Sequence, residues 1–180
     1  MNFKKTLYIS IIIILILGVL FTGYYLYKKS IPTTLNALDT SFSIQIPGKI
    51  NFKVKEPSSL DYKLDIYSIK DEMFINTSVY DKKYDIDMFE AVEKEILLLS
   101  DTLENVRYVS TIEELSINSF LAYKYSYVYY DNSYENDIYA EIVWIKTDKK
   151  IYILDLEVIT KNIGKYKPIF NDITNSFIEL

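Results

Sequence analysis

The chain has 180 residues, 20 Lys+Arg against 25 Asp+Glu, and neither cysteine nor histidine. That composition excludes disulfides, thiolate metal sites, cysteine nucleophiles and every histidine-dependent triad or metal centre. Four lysines (Lys4, Lys5, Lys28, Lys29) and no acid lie within residues 1–29, leaving 16 Lys+Arg against 25 Asp+Glu in residues 30–180, a net of −9. So acidic a domain is repelled by nucleic acid and by anionic lipid headgroups.

After a short N-terminal tail, residues 1–6, the run LYISIIIILILGVLFTGYYLY (residues 7–27) carries no charge. As a helix it would span about 30 Å, the hydrocarbon thickness of a bilayer. Tyr24, Tyr25 and Tyr27 stand at its end, as in an interfacial aromatic belt. A cleaved signal peptide would need small residues where Phe21, Tyr24 and Tyr25 stand. The segment therefore reads as an uncleaved single-pass anchor in a cell membrane, N-terminus cytoplasmic and domain outside. Gly18 and Gly23 are too far apart in register for a GxxxG packing face.

Residues 28–41 are polar, contain Pro32, and read as a linker reaching at most ~40 Å from the membrane. The domain proper is expected over 42–180. Strand-like runs follow at FSIQIP (42–47), INFKVKE (50–56), LDYKLDIYSI (60–69) and MFINTSVY (73–80), separated by turn-forming residues such as Pro57-Ser58-Ser59. The period then changes. In residues 87–105 Phe89, Val92, Ile96, Leu99 and Leu103 recur at helical spacing, with Asp87 and Glu90 in a capping-box arrangement and Asp85 just ahead of it.

Four more strands are expected at about 106–117, 119–130, 137–147 and 150–159. A last helix is expected over PIFNDITNSFI, with Pro168 near its first turn and Ile169, Ile173 and Phe177 on one face. The order β-β-β-β-α-β-β-β-β-α, joined by short turns, implies an α+β domain: an antiparallel sheet flanked by helices.

FLAYKYSYVYY (120–130) places Tyr123, Tyr125, Tyr127 and Tyr129 on one strand face and Lys124 and Ser126 on the other. Trp144 extends that aromatic patch on the next strand if the two pair. Two readings stand for these five residues. The rings pack under a helix with hydroxyls at a rim, or they form an aromatic ligand-binding groove. A buried hydroxyl without a partner costs about 1–3 kcal/mol, so four of them cannot all be dry.

Other constellations are weaker. Asp131, Glu135 and Asp137 have calcium-like spacing, but Asn136 replaces the EF-hand glycine and Ile142 the bidentate glutamate, so a solvated turn is expected. Asp155 and Glu157 share a strand face and are read as exposed; as paired carboxylates they leave a carboxylate-only hydrolase as a minor alternative. Asn76-Thr77-Ser78 matches a glycosylation triplet, a pattern common by chance. No metal, cofactor or catalytic residue is assigned.

A domain opening on F-x-I-x-x-P (Phe42, Ile44, Pro47), with a mid-chain amphipathic helix and a closing helix ending in Ser176-Phe177, resembles the PsbP-like superfamily, bacterial DcrB-like envelope members included. Ile117-Asn118-Ser119-Phe120-Leu121-Ala122 resembles the I-N-G-x-x-A step of bacterial members, with Ser119 where glycine is usual. The resemblance covers about residues 40–180. It implies an antiparallel sheet flanked by helices and no catalysis. The function expected is a membrane-anchored, non-catalytic extracytoplasmic domain that binds another envelope or membrane protein. The alternative is an anchored small-ligand module built on the tyrosines.

Overall fold

The structure is a computed structural model that describes residues 3–56, 62–68, 70, 72–81 and 87–180, with side chains from residue 12 onward except Lys29 and Asp81. Helix α1 (Phe3–Ser30) is apolar around its whole circumference, and its side chains from Ile12 to Tyr27 are exposed. Among the described residues no helix is long and apolar enough to cross a membrane; Leu7 to Ile11 of the expected span lie outside the described side chains.

The segment expected as a linker is structured. Only Ile31 and Pro32 separate α1 from β1 (Thr33–Asn36), which pairs antiparallel with β2 (Phe42–Ile46). The linker reading is corrected accordingly: Thr33 to Asn36 form an edge strand whose inward backbone groups pair with β2. β3 (Lys53–Lys55), β4 (Tyr62–Ser68) and β5 (Met73–Asp81) follow. The turn expected at Pro57–Ser59, and Asp85, lie outside the described residues.

Helix α2 (Met88–Thr102) starts where the sequence places it. Asp87 Oδ1 accepts from the amides of Phe89 and Glu90, the orphan donors of a first turn. Glu90 reaches forward to Lys94, 2.7 Å away, and the last turn closes through the Leu103 amide on the Leu99 carbonyl.

The strand expected at 106–117 is two strands, β6 (Glu104–Tyr108) and β7 (Glu113–Ile117). Between them the Val109 and Ser110 amides both donate to the Ser126 carbonyl, a bulge that interrupts the ladder on the neighbouring strand before β7 resumes it. β8 (Phe120–Asp131), β9 (Asn136–Lys146) and β10 (Lys150–Ile159) form the long centre of the sheet. The main sheet runs β3-β4-β5-β10-β9-β8-β6, with β7 also on β8, and every pair is antiparallel.

Helix α3 (Ile163–Asn175) begins five residues before the expected start, so Pro168 sits inside it. Pro168 has no amide to donate to the carbonyl four residues back, so the helix forgoes one bond there. The buried face is Tyr166, Phe170 and Ile173. Phe177, expected on the helix, instead lies past its C-cap. It is fully buried against Phe42 and Tyr152, at ring-centroid distances of 5.7 and 4.9 Å. The chain closes with β11 (Ile178–Glu179) on β2, completing a small sheet β1-β2-β11.

One face of the main sheet therefore packs against α3 and the small sheet, through Ala122, Tyr139, Val143, Ile145, Leu154 and Leu156 among others. The opposite face carries α2 and a second apolar cluster.

The β7–β8 hairpin turns on Asn118 and Ser119, whose φ angles are 48° and 73°. A two-residue turn with both φ positive is the arrangement in which glycine is favoured at the second position. Asn118 tolerates it, and its side-chain amide donates to the Phe177 carbonyl, tying the turn to the C-terminal strand.

Candidate functional site

Strand register sets the α2 face in rows. Tyr123 pairs with Trp144, Tyr125 with Ile142, Tyr127 with Ala140 and Tyr129 with Ile138. β10 continues these rows with Ile153, Asp155, Glu157 and Ile159, and β5 adds Asn76 beside Asp155 and Phe74 beside Glu157. Helix α2 covers the β8–β9 end, with Val92 fully buried and Ile96, Leu99 and Leu103 packed around the tyrosines.

The five aromatic residues are thus brought together but not opened to solvent alike. Tyr125, Tyr127 and Tyr129 are buried, their rings stacked or tilted along the strand at 6.1 and 5.9 Å. Tyr123 and Trp144 remain half-exposed, and Phe89 meets the Tyr123 ring edge-on at 5.5 Å.

The hydroxyls go to carboxylates that the sequence did not single out as partners. Tyr129 donates to Glu157 Oε1 at 2.9 Å and Tyr123 to Glu114 Oε2 at 3.3 Å. The Tyr125 hydroxyl and the Trp144 indole N–H neighbour Glu95 on α2, and both pull its pKa down. Yet Tyr125 Oη, Trp144 Nε1 and Glu95 Oε2 are all buried without a partner at hydrogen-bond geometry. Burial is the larger effect and raises the Glu95 pKa.

Asp155 and Glu157 were expected on an exposed face, and this is corrected. Both residues keep intermediate overall accessibility, but their carboxyl groups are ringed by protein, and Asp155 Oδ1 has neither solvent nor a partner. Burial pushes both pKa values up. For Asp155 the nearby charges of Glu157 and Glu95 push further, while the Tyr129 bond pulls Glu157 back. The residues flanking them on the other side of the strand, Leu154, Leu156 and Val158, are also buried. A strand apolar on one face and enclosed on the other is central, and that position was the missing signal.

Two concave features border this face. A groove of about 610 Å³ runs between α2 and the β6–β7 connection, lined by Phe89, Ile96, Leu97, Tyr108, Thr111 and Ile112 among others. Tyr108 crosses its end and donates to the Ile96 carbonyl at 2.7 Å. Leu97 and Leu98 stand outward, 73% and 59% exposed, and Tyr108 and Val109 are about half exposed. Of the three consecutive leucines at 97–99, Leu99 packs against the tyrosine cluster and Leu97 lines the groove, outside the single stripe read from the sequence. The second feature is a pocket of about 130 Å³ beside Tyr129 and Glu157, walled by Phe74, Asn76, Asp131, Tyr134 and Ile138.

The carboxylates of the β8–β9 turn serve the chain. Asp131 Oδ1 accepts from the Ser133 and Tyr134 amides, and Asp137 holds Arg107 at 2.7 Å. Among the described residues no three carboxylates converge as a metal ion would require.

No family model matches the chain, and no curated protein does. Solved structures do match, at the level of fold. The cyanobacterial PsbP of Synechocystis is 10% identical, with a TM-score of 0.62 over 84% of this chain and 94% of its own. LpqN of Mycobacterium tuberculosis, described as involved in cell envelope biogenesis, is 15% identical, with a TM-score of 0.53 over 82% and 89%. The protein Mog1, as a point variant, is 8% identical, with a TM-score of 0.53 over 83% and 96%. The chain has a PsbP-like fold.

Proposed function

We propose that the chain is a membrane-anchored, non-catalytic domain outside the cytoplasm that binds another envelope or membrane protein. The groove beside α2 is its docking surface. The observation that carries this reading is the exposed apolar lining of that groove, Phe89, Leu97 and Tyr108, on a domain whose net charge is otherwise strongly negative. Soluble surfaces seldom gather large apolar side chains beside a cleft without a partner. The occupant that fits is a polypeptide presenting an apolar side-chain row, such as one face of an amphipathic helix.

The anchor is supported by α1 itself. Its side chains from Ile12 to Tyr27 are exposed and almost all apolar; toward the domain, Phe21, Tyr24 and Tyr25 share a concave surface with Gly48 and Ile50. In water such a helix would be a liability; in hydrocarbon it satisfies its own backbone and needs no cover. The envelope role described for LpqN agrees with a placement at the cell surface.

The test is photo-crosslinking in intact cells, with the full-length protein at native expression and the probe at Phe89, Leu97 or Tyr108. One discrete adduct with a membrane or envelope protein at these sites, and none from a probe at Asn132 on the β8–β9 turn, is the expected result. No adduct from any groove position would sink the docking reading.

A further inference from the structure

The small pocket at the other end of the tyrosine face shares no lining residue with the α2 groove. Its chemistry is different. One wall is Glu157, whose Oε1 already accepts from Tyr129. Asp155 lies two residues away on the same strand face, next to the lining residue Asn76 across the β5–β10 pairing. Asp131 lines the rim.

No lysine or arginine among the described residues contacts Asp155 or Glu157, and Asp155 Oδ1 is shut off from solvent with no donor. Buried carboxylates are ordinarily paired, and one left without a counter-charge is an unsatisfied group. The remaining walls are aromatic. Phe74 and Tyr134 lie 5.4 Å apart, and Tyr129 closes the third side. Carboxylates combined with ring faces are the recognition surface for an organic ammonium.

The same sheet edge shows this pairing internally. Beyond β5, the Lys55 ammonium of β3 sits 4.7 Å over the Tyr67 ring of β4; burial raises the pKa of the neighbouring Asp65, and the Lys55 charge pulls it partly back. The pocket has the ring and carboxylate components of that arrangement without a described cation. Its volume, about 130 Å³, corresponds to roughly four waters. That admits an aminomethyl or aminoethyl end and is too small for a nucleotide or a sugar ring. A bare metal ion is disfavoured because among the described residues no three carboxylates converge.

We propose that the pocket formed by Phe74, Asn76, Tyr129, Tyr134 and Glu157 binds a primary alkylammonium group. Glu157 supplies the countercharge, with Asp155 behind it, and the rings supply the walls. Two sources present that chemistry: the end of a free polyamine, or a lysine side chain of a polypeptide.

The experiment titrates the full-length protein in nonionic detergent with n-butylammonium by isothermal calorimetry, with n-butanol as the neutral isostere. Saturable binding of the amine and none of the alcohol is expected. Glu157→Gln keeps an acceptor for Tyr129 but removes the charge, and should weaken the amine at least about tenfold while the circular dichroism spectrum is unchanged. Asp155→Asn provides a second variant if Glu157→Gln alters the fold, with weakening in the same direction. Spermidine and a short acetylated lysine peptide then separate the sources, the tighter of the two naming the physiological class. Absence of saturation with all three amines up to about 10 mM, near the weakest affinity worth calling a site, would overturn the proposal. So would equal binding by wild type and both variants.

Discussion

Removing one hydroxyl from Tyr125 and one from Tyr129 is the same chemical change on the same strand face, four residues apart. The structure assigns the two changes opposite signs. Tyr125 Oη is buried and has no partner at hydrogen-bond geometry, so Tyr125→Phe deletes an unsatisfied polar group. A buried unsatisfied hydroxyl costs about 1–3 kcal/mol; Glu95 lies nearby and offsets part of that, so a gain of about 1 kcal/mol is expected. Tyr129 Oη donates to Glu157 at 2.9 Å, and Tyr129→Phe leaves an enclosed carboxylate without a donor. A hydrogen bond to a charged group is worth about 1.5–3 kcal/mol, and that much should be lost. The two variants should then differ by roughly 2.5–4 kcal/mol, or on the order of 5–15 °C in Tm for a domain of this size. Urea unfolding of the full-length protein in detergent, followed by far-UV circular dichroism with Trp144 fluorescence as a second probe, measures both. An unchanged m-value would confirm that the native state is intact. Equal destabilisation by both substitutions would refute the reasoning, because it would mean that Tyr125 does donate to Glu95.

Four further outcomes are expected. Leu97→Asp should abolish the crosslink from Tyr108 while moving stability by less than about 0.5 kcal/mol, since its side chain faces outward; retention of the adduct would exclude the groove. Ser119→Gly should stabilise by about 0.5–1 kcal/mol by relieving a positive φ in the β7–β8 turn, and a loss in urea titration would show that Ser119 makes a contact of its own. Phe177→Ala should cost about 3–5 kcal/mol, because its ring fills the space between Phe42 and Tyr152. The last outcome concerns pH. Asp155, Glu157 and Glu95 bind protons more tightly folded than unfolded, so their contribution is fully present below the ordinary carboxylate pKa values and is lost as pH rises through the raised ones. The groups facing them, Tyr62, Asp65, Asp131 and the tyrosines of β8, are acidic or neutral and none reverses the sign. Thermal stability should therefore fall as pH rises above the ordinary carboxylate range, and Asp155→Asn should flatten that slope; a stability that rises with pH there would contradict the burial of these carboxyls.

Much of the domain is legible from periodicity. Helix α2 and its Asp87 cap, and the pairing of β8 with β9, follow from spacing and turn chemistry that act locally. The elements that sequence pattern missed depend on distant partners. Thr33–Asn36 and Ile178–Glu179 are strands because β2 lies between them, and neither has a pattern of its own. Phe177 continues the helical spacing of Ile169 and Ile173, but the helix ends at Asn175 and the ring drops between Phe42 and Tyr152. At the site, alternation placed the four tyrosines on one face and left open what covered them. Their cover, α2, is far away in the chain, and so is Glu157, 28 residues from Tyr129; Glu114, nine residues from Tyr123, is the local partner. Asp155 and Glu157 look like the wet side of a strand by alternation alone. Only the position of β10 between β5 and β9 encloses them.

The two-residue join between α1 and β1 has a mechanical consequence. A polar tether of a dozen residues would let the domain swing freely above its anchor, whereas Ile31 and Pro32 span about 7 Å at most and one of them has a fixed φ. With α1 in a bilayer as proposed, the domain is less a tethered ball than a crank keyed to its shaft. Rolling the helix about its axis would sweep the α2 groove through an arc parallel to the membrane surface. A partner seated in that groove and embedded beside α1 would thereby fix the angular setting of the helix, and a twist imposed on the helix by its neighbours would be delivered as a sideways displacement of the partner.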